Sequence, residues 1–299
     1  MRLRRGRDTP TVAGQVVVDS AEFVLGDEVT GRVTLRNLPP ETHGTVKLGQ
    51  LRMFETQASG GEAFEGWANE ASDFFSVATA PLSSDASGSV EASFALAIPP
   101  NAPPSVPTDI EWRVVADLDT PGAYVESPMI NVLAPRDAFL EVLDRTAELS
   151  PHDWSISPEV DVDVGDGCVR CGDTLLGRLV VTPDKDIKAR ELSVSLHGHF
   201  DPLGRDERIA RFDQSLELGR DVDLAAGRRH EFPFSIKIPD DAIPTIWEDP
   251  QTRRPWLDRK YDDHQLYPTM FWHLRGLVAK GRVFGWKQAS VAIHVYNAP

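Results

Sequence analysis

Cysteine is scarce: Cys168 and Cys171 are the only two in 299 residues. A disulfide-dense scaffold is therefore excluded. The two form a Cys-x-x-Cys pair. A zinc site of the usual kind needs a second Cys or His pair at matching spacing, and the sequence has none. A redox pair of the thioredoxin kind sits at the start of a helix, whereas these flanks read as strand and turn. The pair reads best as two small apolar residues near a strand start.

Long hydrophobic runs are missing too. Nothing approaches the roughly 18 apolar residues of a membrane-crossing helix. The opening stretch, Met1 to Arg7, is basic, but Asp8-Thr9-Pro10 follows it instead of an apolar export segment. We expect a cytoplasmic chain. Arg2, Arg4, Arg5 and Arg7 offer at most a weak contact for anionic lipid, and a frayed solvated tail is the plainer reading. Positive charge is in short supply, with 31 Lys and Arg against 46 Asp and Glu and a net charge of −15. That argues against nucleic acid, whose phosphates want a basic face. It suits a basic protein partner, and equally a salt-adapted host. Also absent are the Gly-x-Ser-x-Gly elbow, the Walker loop, the His-Glu-x-x-His helix and the dinucleotide glycine fingerprint. We expect no catalytic residue and no cofactor, although a dispersed triad would escape such a scan.

What is present is strand periodicity. Val29, Gly31, Val33 and Leu35 fall on one face, with Thr30, Arg32 and Thr34 on the other. Val46, Leu48 and Leu51 begin another strand. Residues 57–73, rich in Gly, Ser, Ala and Glu, read as a loop. Val90, Ala92, Phe94, Leu96 and Ile98 alternate until Pro99, Pro100, Pro103 and Pro104 stop the strand. Trp112, Val114 and Ala116 alternate again, and Ile130 to Leu133 closes the first half. The period resumes with Val160, Val162 and Val164, then with Leu175, Gly177, Leu179 and Val181. Leu192, Val194 and Leu196, then Phe232, Phe234, Ile236 and Ile238, and last Val291, Ile293 and Val295 continue it. Between the halves the spacing changes. Phe139, Val142, Leu143 and Ala147 share a helical face, and Asp137 can cap it, so one short amphipathic helix is expected over 136–148.

The two halves echo each other. Gly26-Asp27-Glu28-Val29-Thr30-Gly31-Arg32 matches Gly172-Asp173-Thr174-Leu175-Leu176-Gly177-Arg178. Phe94 to Pro99, with Ala102, Pro104 and Ser105, matches Phe234 to Pro239, with Ala242, Pro244 and Thr245. An aromatic strand follows each: Trp112 to Val115, and Phe271 to Leu277. Three matches in one order indicate a duplicated all-β unit.

Gly26-Asp27 with Gly31, Ile98-Pro99 with Pro103-Pro104-Ser105, and Ile110, Trp112, Val114, Ala116, Leu118 and Asp119 together resemble the arrestin family. The helical stretch between the halves brings the chain nearer the bacterial and archaeal branch, the sporulation-control arrestin-like proteins. The resemblance covers about residues 12–296 and rests on turns and strand ends, so it speaks to fold more than function. It implies an all-β chain of two tandem immunoglobulin-like (arrestin-type) β-sandwiches joined by a short helix-containing linker. The expected bounds are 12–134 for the first sandwich, 135–157 for the linker and 158–299 for the second, which carries an inserted loop at 246–268. It implies a non-enzymatic adaptor or scaffold and supplies no catalytic residue. With Pro299 just after the last strand, we expect no tail-release switch of the animal arrestin kind.

Four places carry candidate chemistry. The insertion has no counterpart in the first half and gathers Trp247, Arg253, Arg254, Trp256 and Tyr261 among charges of both signs; aromatic and arginine side chains dominate protein interfaces, so it is the leading partner site. The stretch Phe64 to Phe75, with Trp67, is a second. The run Asp161-Val162-Asp163-Val164-Gly165-Asp166-Gly167 has a calcium-like density of carboxylates on glycines. It fails the EF-hand pattern, since Gly165, Asp166 and Gly172 stand at the fifth, sixth and twelfth positions. A solvated acidic edge strand is the plainer reading, and a calcium module the alternative function. His197 and His199 share a strand face and suit one metal, but no third ligand lies near them in sequence. An enzyme on a sandwich is the least favoured function. Sheet edges also leave room for a homodimer.

Overall fold

A computed structural model describes residues 13–56, 69–107, 109–119, 124–138, 140, 159–201, 209–246, 269–280 and 286–299. The chain divides into two compact units, the first holding residues up to Leu133 and the second beginning at Ala134. The first contains β1 (Ala13–Val18), β2 (Glu22–Val24), β3 (Glu28–Arg36), β4 (His43–Thr56), β5 (Asn69–Ser83), β6 (Val90–Ala97), β7 (Ile110–Leu118), β8 (Tyr124–Glu126) and β9 (Asn131–Leu133). The second contains β10 (Glu159–Asp163), β11 (Cys168–Arg170), β12 (Thr174–Thr182), β13 (Ile187–Asp201), β14 (Ile209–Leu224), β15 (His230–Lys237), β16 (Thr269–Ala279) and β17 (Trp286–Tyr296). No α-helix occurs among the described residues, and no helix there is long and apolar enough to cross a membrane.

Each unit stacks a three-stranded sheet on a larger one. In the first, β1-β3-β6 faces β5-β4-β7-β8; in the second, β10-β12-β15 faces β11-β17-β16-β13-β14. Alternation along the central strands builds the apolar layer between them. Ile110, Trp112, Val114, Ala116 and Leu118 of β7 are buried, as are Met270, Trp272, Leu274 and Val278 of β16.

The repeat read in the sequence is a repeat of hydrogen bonds. Gly26 and Gly172 both adopt left-handed φ, 94° and 84°, a conformation that suits glycine. Ile98 N–H then donates to Asp27 O (2.8 Å) and Ile238 N–H to Asp173 O (2.9 Å). Gly31 lies opposite Phe94, and Gly177 opposite Phe234. At either glycine a Cβ would strike that ring, at 2.7 and 2.3 Å. The second glycine of the motif is therefore the seat of a phenylalanine. Trp112 Nε1 donates to Pro103 O (3.2 Å) and Trp272 Nε1 to Ile243 O (3.0 Å). Ser105 and Thr245 each exchange two bonds with a strand, at Val132 and Val295. Both units also carry one short parallel pair, β2–β9 and β11–β17.

Three elements differ from the sequence reading. β5 starts at Asn69, so residues 69–73, expected as loop, are strand. β14 has no counterpart in the expected strands. The helix expected over 136–148 has no described helical turn: Arg136 to Ala138 form a turn closed by Ala138 N–H to Pro135 O (3.0 Å), and residues 139 and 141–148 lie outside the described residues.

Candidate functional site

Trp67, Trp247, Arg253, Arg254, Trp256 and Tyr261 lie outside the described residues, as do Arg2, Arg4, Arg5 and Arg7. Of the insertion only Ile246 is described; it is buried and bridges to Met270 at the start of β16. Of the stretch 64–75, residues 69–75 begin β5.

The acidic turn is built around two arginines. Asp163 accepts from Gly165 N–H (3.1 Å) and from Arg178 (2.8 Å). Asp166 accepts from Cys168 N–H (3.0 Å) and from Arg136 (2.5 Å). Asp161 accepts from its neighbour's amide, Val162 N–H. The amides first, and the guanidinium groups second, hold the Asp163 and Asp166 carboxyls below the usual range. The two carboxylates thus turn to separate cations. Beside them, burial raises the Cys168 thiol and pushes Cys171 up to about 11, so neither is a ready thiolate at neutral pH. Both are free, and Cys171 Sγ donates to Ala242 O (3.3 Å).

Because the units repeat, each position in one has a counterpart in the other, and departures stand out. Gln50 pairs with Trp112 as Gly198 pairs with Trp272. Counting along the strands, Arg52 of the first unit stands where the second has Phe200. Both Gln50 and Arg52 are fully buried. Arg52 Nε and its Nη2 donate to Gln50 Oε1 (2.8 and 2.6 Å), Gln50 Nε2 donates to Pro103 O (2.9 Å), and the guanidinium sits 5.3 Å from the Phe75 ring centre. A fold that closes with glycine and phenylalanine does not need this polar pair. It ties β4 to the inner face of β5 through Phe75.

β5 itself is an edge: among the described residues it pairs only with β4. From Phe74 to Ser83, ten positions in a row carry no charge. Its counterpart β14 is the edge of the second large sheet, and carries Asp213, Glu217, Arg220, Asp221 and Asp223. Charge is how natural sheets blunt an edge. β14 is blunted along its length, whereas β5 is blunted only at its start, by Glu70 and Asp73, and at Pro81, which lacks the N–H a ladder needs. β1 is an uncharged edge as well, but only six residues long.

The second departure is on the outer face of the second unit. His197 pairs directly with His273 across β13–β16, and His199 lies two residues on, on the same face. Ring centroids are 5.0 Å apart for His197–His273, 5.0 Å for His199–His273 and 6.1 Å for His197–His199. His197 Nδ1 is 3.2 Å from Asp213 Oδ1. Burial, then the neighbouring imidazoles, pulls His273 down to about 4, so its ring is neutral at pH 7. The rings stack, with their planes 9° to 26° apart, and as they stand no group of three or more His, Cys, Asp or Glu among the described residues gathers its donors for a metal. Sequence reasoning found His197 and His199 and missed His273. The missing information was strand pairing, which the aligned repeat supplies in part by placing the two aromatic strands in register.

No family model matches the chain, and no curated protein matches it. Among solved structures it is similar to Spo0M, a sporulation control protein from Bacillus subtilis, with a TM-score of 0.36 and 15% identity over 48% of this chain and 51% of that one. The match spans about half the length of that structure, and a likeness this slight carries no argument about function.

Proposed function

We propose that the chain is a non-enzymatic cytoplasmic adaptor that binds protein partners by taking an extended partner segment alongside β5. The observation that carries this reading is the uncharged edge from Phe74 to Ser83, set against the charged edge at the same place in the second unit. An added strand gains main-chain hydrogen bonds from the open edge, and alternate side chains give it selectivity. Pro81 limits the usable ladder to Phe74–Ala80, about seven residues of extended chain or roughly 23 Å. The insertion with Trp247, Trp256 and Tyr261 is a second contact in this proposal.

Thr79 is exposed on β5 and Ser215 is exposed on β14. Thr79→Lys places a charge on the first edge and Ser215→Lys on the second. Both variants are first shown to melt with wild type, and each is then immobilised against host lysate. A specific protein held by wild type and Ser215→Lys, and lost by Thr79→Lys, supports the reading. Equal retention by all three moves the contact away from β5. No specific protein, together with concentration-dependent self-association that Thr79→Lys abolishes, makes the occupant a second copy of this chain.

A further inference from the structure

We infer that the outer face of β1-β3-β6 in the first unit binds an aspartate or glutamate side chain of a partner protein, held by the Arg32 guanidinium in the place where the second unit keeps its own Asp163.

The two small sheets share one register. Arg32 stands opposite Val17 on β1 and Ser93 on β6, and Arg178 stands opposite Asp163 on β10 and Pro233 on β15. Residues directly opposite on antiparallel strands project from the same face. In the second unit the guanidinium is engaged from within the sheet. Arg178 Nη2 donates to Asp163 (2.8 Å) and its Nη1 to Glu231 (3.1 Å). In the first unit Val17 stands where β10 has Asp163, and a valine side chain accepts no hydrogen bond. The glutamate is kept, as Glu91, but Arg32 Nη1 stops 3.8 Å from its Oε1, beyond hydrogen-bond reach. Arg32 has no other side-chain partner among the described residues. The same arginine thus closes on two carboxylates in one unit and is left open in the other.

The surroundings of Arg32 suit a carboxylate from outside. A groove of about 580 Å³ lies over this face, lined by Gln15, Val17, Thr30, Arg32, Thr34 and Ser93. Thr30 and Thr34 flank Arg32 at the places where the second unit has Leu176 and Val180, so hydroxyls replace apolar side chains on this face alone. Thr30 Oγ1 donates to Asp19 (2.6 Å), which satisfies the carboxylate at that end of the groove. Gln15 and Thr34 lie opposite each other, and their side chains make no hydrogen bond among the described residues. An amide N–H and a hydroxyl are therefore available beside the guanidinium. Val17, 47% exposed, offers an apolar floor for the stem of an acidic side chain. Guanidinium geometry matches a carboxylate with two parallel bonds, and its donors serve two carboxylates at once, as Arg178 does.

The test is heteronuclear NMR on the full chain, titrated with the capped tripeptide acetyl-Gly-Asp-Gly-amide. The peptide is taken into the millimolar range, because one exposed ion pair is a weak anchor. Wild type shows saturable shifts at Arg32 Nε–H and at the amides of Val17, Thr34 and Ser93. The same peptide with Asn for Asp binds about tenfold more weakly, since a neutral amide forfeits the charge-assisted pair. Arg32→Gln weakens the Asp peptide by a similar factor. Val17→Asp, which installs the residue of the second unit, does so too, by engaging the guanidinium from within; Val17→Asn binds as wild type does. Thr79→Lys also binds as wild type does, which separates this site from the contact proposed at β5. Melting of every variant is measured alone, so that loss of the site is distinguished from loss of fold. Absence of saturable shifts in wild type overturns the assignment. So does equal binding of the Asp and Asn peptides, or binding by folded Arg32→Gln or Val17→Asp equal to that of wild type. Acetate that saturates the same resonances as tightly as the peptide overturns the assignment to a partner side chain.

Discussion

At the residue scale, three side-chain environments make separable predictions. Gly31 and Gly177 each sit under a phenylalanine ring, where a Cβ would come within 2.7 and 2.3 Å of it. Overpacking of this sort costs about 1–3 kcal/mol. Gly31→Ala and Gly177→Ala should each lose at least that much stability in chemical denaturation, and Phe234→Leu should recover part of the second loss; at Gly31 the nearest atom is the Val17 carbonyl oxygen, at 2.2 Å, which no side-chain change relieves. The Gln50–Arg52 pair predicts differently. Gln50→Leu strands buried guanidinium donors, at a cost of about 1–3 kcal/mol or more. Adding Arg52→Phe, the residue of the second unit, should restore part of it, and a double-mutant cycle measures the coupling. His294 and His273 supply the pH dependence in one window, and His294 is the more buried of the two. It is fully buried, and desolvation lowers its pKa from 6.5 to about 4. The unfolded chain therefore binds a proton that the folded chain refuses. Its stabilising contribution is whole above pH 6.5 and is lost as pH falls toward 4, on the order of 3 kcal/mol. Melting scans across that window should show a steep acid limb, shallower in His294→Leu. The lowered carboxyls of Asp163 and Asp166 act at lower pH, below 3.8, so the two effects separate.

At the element scale, legibility followed burial. β3, β6, β7, β12, β15 and β16 alternate because sheet neighbours and the facing layer bury one side chain in two, and the sequence shows that alternation openly. Among the described residues β5 and β14 bury few side chains, Phe75 and Leu82 on the one and Leu224 on the other, so little pattern is enforced on them. β5 reads Phe74-Phe75-Ser76-Val77-Ala78-Thr79-Ala80, without alternation, and a register shift at Leu48/Gly49 displaces even the paired side. The strand on which the proposed binding rests was therefore hidden from the sequence. The same reasoning predicts that Thr79→Lys leaves stability within about 0.5 kcal/mol, since the site is exposed and its outer neighbour is absent among the described residues. A loss beyond about 1 kcal/mol in chemical denaturation would mean that β5 is covered.

At the scale of the whole molecule, the duplication is the most informative property. It was legible as Gly-Asp-x-apolar-x-Gly-Arg and as the two Ile-Pro stops, because glycine conformation and proline chemistry are local. The candidate sites were less legible. His197 and His199 share a face by counting, but His273 joins them only through long-range register, and Gln50 and Arg52 read as ordinary polar strand residues until burial is known. Once both units are known, each serves as the control for the other. An uncharged edge, a buried polar pair and a histidine patch are the features that one unit has and the other lacks. Binding at β5 is the claim on which the proposed function stands. Its most direct test is amide hydrogen exchange on the intact chain, alone and saturated with the partner that Thr79→Lys fails to hold. The account predicts slowed exchange across Phe74–Ala80 on binding, with β14 unchanged; protection confined to other segments while Phe74–Ala80 exchanges as before would contradict it.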